Sequence, residues 1–141
     1  MTVDPQKGRP PRLRFHHIGR PVEVDEISDH PDVRFSPMWD MYTVDLPNDL
    51  ALPVQLHAFG PDSKLDAAIR TEPHVGFVVD DIEAAIADHE VAMPLYEPFP
   101  GYRCCMIIVN RQLVELIQTT LSDEEIWSGS AFRNSALYPD S

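Results

Sequence analysis

Positive charge is scarce in this sequence, cysteine is scarcer, and long apolar runs are missing. Eleven Lys and Arg stand against twenty-three Asp and Glu, for a formal net charge of -12. Lys7, Arg9, Arg12, Arg14 and Arg20 all fall within the first twenty positions, beside a single acid, Asp4. The rest of the chain is therefore strongly acidic and repels nucleic acid and anionic lipid, which leaves the basic arm as the only place where either could bind. Residues 1–12, rich in Pro and basic side chains, read more simply as a disordered leader. No run approaches the ~18 apolar residues of a membrane span, and the N-terminus lacks the apolar core of a secretory signal. A cytoplasmic protein with a small-molecule substrate, and neither nucleic acid nor membrane as partner, is expected. The two cysteines, Cys104 and Cys105, are adjacent. Strand neighbours point to opposite faces, so the pair makes neither a disulfide framework nor a CxxC metal site. One is expected to pack as a small apolar residue and the other to be partly solvated, and nothing nearby marks either as a catalytic thiol.

What the sequence does have is an internal echo. His17-Ile18-Gly19-Arg20-Pro21-Val22 recurs as His74-Val75-Gly76-Phe77-Val78-Val79, and Val54-Gln55-Leu56 recurs as Val114-Glu115-Leu116. A duplication sets equivalent side chains around a pseudo-two-fold axis. The equivalents here are two imidazoles, an amide and a carboxylate, a donor set suited to a divalent cation.

Periodicity and turn residues divide the chain as follows. Residues 13–22 read as a strand, and Pro21 to Pro37 as a polar, acidic, proline-punctuated stretch with weak helical periodicity at best. Residues 39–46 and 52–59 read as strands joined through Pro47-Asn48-Asp49, and 64–70 as a short helix capped by Asp62 or Ser63. The second half is cleaner: strand 73–79, helix 80–89 with Ile82, Ala85, Ile86 and His89 on one stripe, then strands 91–97, 102–109 and 112–119, the last two hinged at Asn110-Arg111. That order is β-α-β-β-β. The 141 residues suit one domain, spanning 13–119 with halves 13–59 and 73–119 and a linker 60–72. In the tail, 120–141, Ser122-Asp123-Glu124-Glu125 resembles a capping box. Trp127, Phe132 and Tyr138 then either dock on their own domain or cross to a second subunit.

Alternation fixes what each candidate ligand implies for its neighbours. If His74 faces a central cup, Val75, Phe77 and Val79 face away and pack beneath the helix that follows. Glu115 facing inward sends Val114 and Leu116 outward, and Gln55 does the same for Val54 and Leu56. A lone carboxylate at Glu115, set among Leu113, Leu116 and Ile117, needs a compensating charge if buried. Of the adjacent His16 and His17, one is expected to be a plain surface or core histidine, and the repeat selects His17. His57 shares the parity of Gln55 one pleat farther along, as a rival ligand or a donor behind the ligands. His30 and His89 read as structural.

These residues resemble the vicinal oxygen chelate superfamily, which includes glyoxalase I, methylmalonyl-CoA epimerase, extradiol dioxygenases and fosfomycin- and bleomycin-resistance proteins. The resemblance covers about residues 14–119. It is carried by Phe15-His16-His17-Ile18-Gly19, by Gly60-Pro61-Asp62-Ser63, by His74 through Ala85, and by Val114-Glu115-Leu116-Ile117, and the pattern is nearest that of epimerase-like members. It implies an α+β fold of two tandem βαβββ modules forming a U-shaped mixed sheet around a metal-binding cup, here with the first-module helix degraded. It also implies His17, Gln55, His74 and Glu115 as ligands to one divalent ion (Zn, Co, Ni, Mn or Fe). The catalytic glutamate of the epimerases has no counterpart: Met38-Trp39-Asp40 occupies its region.

A divalent ion with open positions takes two adjacent substrate oxygens, acidifies a C–H next to a carbonyl and stabilises the enolate that follows. The expected function is thus a metal-dependent isomerase, epimerase or lyase on a small oxygenated metabolite. Glu115, Asp40, Tyr42 and His57 are the candidate bases. Two alternatives stand beside it. His17, His74 and Glu115 also make the 2-His-1-carboxylate set of Fe(II) dioxygenases, and a metal-free cup lined by Trp39, Tyr42, Phe59 and Tyr102 could sequester a small molecule such as an antibiotic. A sheet back poorly covered by its own helix points to a homodimer.

Overall fold

One curled sheet of eight strands, a mixed half-barrel, carries almost everything in this α+β chain. The structure is a computed structural model and describes residues 12–129, 132–135 and 137–139. The expectation of a disordered leader concerns residues 1–12, of which only Arg12 lies within the described residues. The strands are β1 (Leu13–Pro21), β2 (Arg34–Ser36), β3 (Met41–Leu46), β4 (Val54–Phe59), β5 (His74–Val79), β6 (Glu90–Phe99), β7 (Tyr102–Val109) and β8 (Gln112–Thr119). Their spatial order is β2-β3-β4-β1-β5-β8-β7-β6. Outward from the antiparallel pair β1–β5, each side continues with a parallel neighbour and then two antiparallel ones.

Local chemistry explains where these elements start and stop. β7 turns into β8 through Asn110 and Arg111, both with positive φ (51° and 69°), the two-residue turn whose twist matches a right-twisted hairpin. β3 begins after Asp40 (φ 49°) and β4 after Ala51 (φ 53°), which trims the strands expected at 39–46 and 52–59. β6 runs on to Phe99 through Pro94 and Pro98. Proline is tolerated there because β6 is the last strand, with one side free of ladder partners.

The helices are short. α1 (Val24–Ile27) is one turn closed by a Glu23–Glu26 capping box, so the stretch expected to be loop holds a single helical turn. It is followed by β2, which the proline-broken pattern concealed. α2 (Ala67–Thr71) starts at Asp66, whose carboxylate accepts the Ala68 N–H at 2.9 Å. α3 (Ile82–Ile86) starts at Asp81, which accepts the Ala84 N–H at 3.1 Å. It ends well before the expected residue 89, because Ala87 leaves the helical region and Asp88 adopts φ 67°. His89 is exposed rather than on the buried stripe. α4 (Asp123–Trp127) opens on the capping box of Ser122 and Glu125. Among the described residues no helix is long and apolar enough to cross a membrane.

Three apolar clusters hold the sheet. Val75, Phe77, Val79, Val114 and Leu116 face the convex side with Ile82 and Ala85 of α3. Val44, Val54, Leu56 and Ala58 do the same beneath Ile27 of α1. The concave side is filled from above: Ile69 of α2, Ile126 of α4, and Phe132, Leu137 and Tyr138 of the tail pack on Met93, Cys104, Met106, Leu113 and Ile117. The tail therefore docks within its own cup. Fully buried aliphatic residues such as Ile82 and Ile117, both 0% exposed, each contribute about 1.5–3 kcal/mol. Both cysteines are buried, Cys104 in the concave cluster and Cys105 in the convex one. The expectation of a solvated thiol thus gives way to two-sided cover of β7.

Candidate metal centre

The site forms where β1, β5 and β8 run side by side at the middle of the sheet. In the β1–β5 register His17 lies opposite Gly76 and His74 opposite Gly19. Each imidazole spreads over the other strand's glycine. A Cβ at Gly76 would stand 2.5 Å from His17 Cε1, and a Cβ at Gly19 would overlap the His74 ring. Glu115 is on β8 directly beyond Gly76, so the same glycine leaves the gap across which His17 meets the carboxylate.

Three donor atoms converge there. His17 Nε2 is 3.0 Å from Glu115 Oε1, His74 Nε2 is 3.4 Å from the same oxygen, and the two nitrogens are 3.2 Å apart. His17 and His74 are 2% and 4% exposed and Glu115 13%. Donors bound to one first-row ion at about 2.1 Å, with angles between tetrahedral and octahedral, stand roughly 3.0–3.4 Å apart. The observed triangle has those edges, and the two glycines clear the space the rings need. This buried His-His-Glu group could hold a metal ion. Burial pushes the Glu115 carboxyl upward, but hydrogen bonds and attraction from His17 and His74 outweigh it and hold the group well below the usual carboxylate range. The centre is a largely buried, ionised carboxylate held between two imidazoles.

Behind the triangle sits His16. The β1–β5 register slips between Phe15 and His17, a bulge that turns two consecutive side chains to the concave side. His16 is 4% exposed, its Nδ1 lies 2.8 Å from His17 Nδ1, and its ring stacks on Trp127 of α4 with centroids 4.8 Å apart. Burial, helped by His17, draws its pKa down to about 4. The expectation that one histidine of the pair is a plain surface or core histidine agrees with the burial of His16 and with its absence from the donor triangle.

Both candidates on β4 line the cavity. Gln55 shares a cross-strand row with Gly19 and His74. Among the described residues no hydrogen bond ties its amide to the three donors. The His57 ring lies 5.5 Å from that of His74, its Nδ1 is 3.0 Å from Thr43 Oγ1, and its buried Nε2 has no partner among the described residues. Burial, followed by the proximity of His74 and His17, lowers its pKa to about 3, so the ring is neutral.

Asp40 and Tyr42 are placed elsewhere. Asp40 occupies a left-handed turn and its carboxylate accepts the Asp62 N–H at 3.0 Å while packing on Gly60, which fastens the exit of β4. Tyr42 has the parity of Val44 and faces the convex side, against Phe35 and the α1 cluster. Of the aromatics expected in a groove, Trp39, Phe59 and Tyr102 line the cavity and Tyr42 does not. Trp39 donates to the Tyr96 hydroxyl at 3.0 Å.

The cavity, of about 110 Å³, has two unlike walls. One is apolar, with Met93, Phe99, Met106 and neighbours; the other carries Arg34, Thr43, Asp45, Gln55 and His57. Arg34 pairs with Asp45 at 3.1 Å and lies over the rings of Phe132 and Tyr138. The sequence does not mark Arg34 as part of the cavity, and it marks His16 only as the histidine beside His17 and Trp127 only as an aromatic of the tail. The first lies in a three-residue strand, the second on a bulge, and the third in a tail without periodicity, so none carries a local signal. Cys104 and Cys105 offer no nucleophile, since burial raises the first thiol well above its ordinary range and the second to about 11. The sequence matches no family model, and no curated protein matches it either.

Proposed function

We propose that the chain is a metal-dependent isomerase, epimerase or lyase of the vicinal oxygen chelate type, acting on a small oxygenated metabolite. The observation that carries this reading is the buried triangle of His17, His74 and Glu115, with donor edges of 3.0–3.4 Å and each histidine over the opposite strand's glycine. The mirrored strand order around β1–β5 supports two βαβββ modules of common origin, the first with its helix reduced to one turn. His17, His74 and Glu115 would hold the ion, with Gln55 or His57 beside them as further donor. A divalent ion bound there would supply Lewis acidity to two adjacent oxygens of a substrate and so acidify a neighbouring C–H.

The chain's own residues supply the rest. The apolar wall and the docked tail keep bulk water from the reacting carbon. Glu115 and the neutral His57, both lining the cavity, are the proton acceptors of this reading. Arg34 and Asp45 offer one donor and one acceptor to the far end of a ligand.

The test is elemental analysis of protein purified without chelator, followed by zinc titration of wild type and Glu115→Gln. One equivalent of metal in wild type and none in the variant is expected, with unchanged far-UV circular dichroism. Equal metal in both proteins refutes the ligand role of Glu115. Greater loss from His57→Ala than from Gln55→Ala makes His57 the fourth donor. The two-histidine, one-carboxylate composition also favours Fe(II) and oxygen activation as a second reading. Oxygen uptake after anaerobic iron loading selects it, and solvent deuterium entering an acid with a C–H beside a carbonyl selects the first.

A further inference from the structure

We propose that His16 is a positioning residue for the metal centre: its Nδ1 accepts a hydrogen bond from His17 Nδ1–H and so holds His17 in the tautomer whose Nε2 lone pair faces Glu115 and His74. The inference rests on the metal reading above and adds the residue that prepares one of the ligands. Two Nδ1 atoms 2.8 Å apart, both buried, must share one proton between them, because two N–H groups or two lone pairs would repel at that distance. Only two arrangements of neutral rings satisfy this. In one, His16 Nδ1–H donates to His17, and His17 Nε2–H donates to Glu115, 3.0 Å away. In the other, His17 Nδ1–H donates to His16, whose own proton then sits on Nε2, and His17 Nε2 is left with a lone pair.

The second arrangement is the one a cation needs, and the proton count of the pair is the same in both. Loading the site therefore shifts which nitrogens carry the two protons without stranding a charge in the apolar shell. Three features hold His16 in place. The bulge at Phe15/His17 turns it inward, the Trp127 indole stacks on its ring at 4.8 Å and 18°, and α4, which carries Trp127, is anchored to β1 by Arg14 and Asp123 at 3.0 Å. Among the described residues His16 Nε2 is buried without a partner and the ring's hydrogen bond is the one to His17. Partners that orient a ligating imidazole through its second nitrogen typically change metal affinity 10–100-fold when removed.

Zinc affinity of the full chain, measured by competition with a chromophoric chelator, tests the proposal in two variants. His16→Phe keeps a flat ring against Trp127 but removes the acceptor. His16→Asn gives up the ring but places an amide oxygen near the position of Nδ1. We expect His16→Phe to bind zinc about 10–100-fold more weakly than wild type and His16→Asn to recover most of that loss. In the zinc-loaded wild type, ring-nitrogen NMR should show the proton of His17 on Nδ1. A His16→Phe protein that binds like wild type overturns the proposal, as does a His16→Asn protein no better than His16→Phe, since an acceptor returned to that position would then restore nothing. Wild-type protein that takes up no zinc overturns the metal reading itself, and is told apart because no variant is needed to see it.

Discussion

Replacing Gly76 by alanine adds one methyl group and should weaken zinc binding at the candidate site of His17, His74 and Glu115 while leaving the fold standing. The new Cβ would lie 2.5 Å from His17 Cε1, 2.7 Å from Nδ1 and 3.1 Å from Nε2. Carbon atoms in contact settle at about 3.5–4.0 Å, so the ring has to retreat by about 1 Å. It cannot do so freely, being held at Nδ1 by His16 and bounded by His74 and Trp127. Metal–donor distances tolerate only about 0.2 Å, so the shift removes His17 from the donor set. Zinc affinity should fall by at least ~100-fold, beyond the usual effect of an outer partner. Stability should change little. Overpacking costs about 1–3 kcal/mol, and alanine returns about 0.5–1 kcal/mol over glycine in a strand, since Gly76 has no left-handed φ to lose. A net loss below about 2 kcal/mol in urea unfolding is expected. Zinc binding within threefold of wild type would refute the reasoning, because the methyl would then fit without moving the ring.

Four further outcomes follow from the same structure. His16 and His57 have native pKa values lowered from 6.5 to about 4 and about 3, so the unfolded chain takes up protons first. Their contribution is intact above pH 6.5 and is lost as pH falls, by roughly 4 kcal/mol together at pH 5; a flat stability profile of the chelator-treated protein between pH 7 and 5 would contradict this. Cys104 and Cys105 should resist a thiol reagent at pH 8 in the folded protein and react at once in denaturant, since burial keeps both protonated; rapid native reaction would show that β7 opens. Leu13, Phe15 and Phe35 leave apolar surface open, at 55%, 42% and 44% exposure, so light scattering should return twice the 16.0 kDa chain mass, and a monomer at micromolar concentration would oppose that. With Phe132 and Tyr138 in the chain's own core, deleting 122–141 should cost folding stability, whatever it does to assembly.

Alternation made the middle of the sheet legible. Once His74, Glu115 and Gln55 are taken to face inward, the outward positions of Val75, Phe77, Val114, Leu116, Val54 and Leu56 follow, and the apolar clusters beneath α3 and α1 hold those residues. The period of two fails at His16, where the bulge turns two consecutive side chains inward. It was also insufficient on β3: Tyr42 was weighed for its chemistry, while Met41, Thr43 and Asp45 are the residues that line the cavity. β2 escaped because three residues between prolines cannot show a period. The docking of the tail rests on long-range contacts of Phe132 and Tyr138 with Phe99 and Arg34, and no neighbouring residues announce those.

The open half-barrel has two free margins, and their make-up bears on how the protein behaves when concentrated. A strand margin with unused N–H and C=O groups recruits strands from other molecules. Here one margin, β2, is only three residues long, and the other, β6, carries Pro94 and Pro98 and three slips of register against β7. Neither presents the flat, continuous run of donors that fibril growth requires. Crowded solutions of this chain should therefore associate through side-chain surfaces, reversibly, rather than by sheet extension, and substituting both prolines by valine should turn β6 into a seed for ordered aggregation.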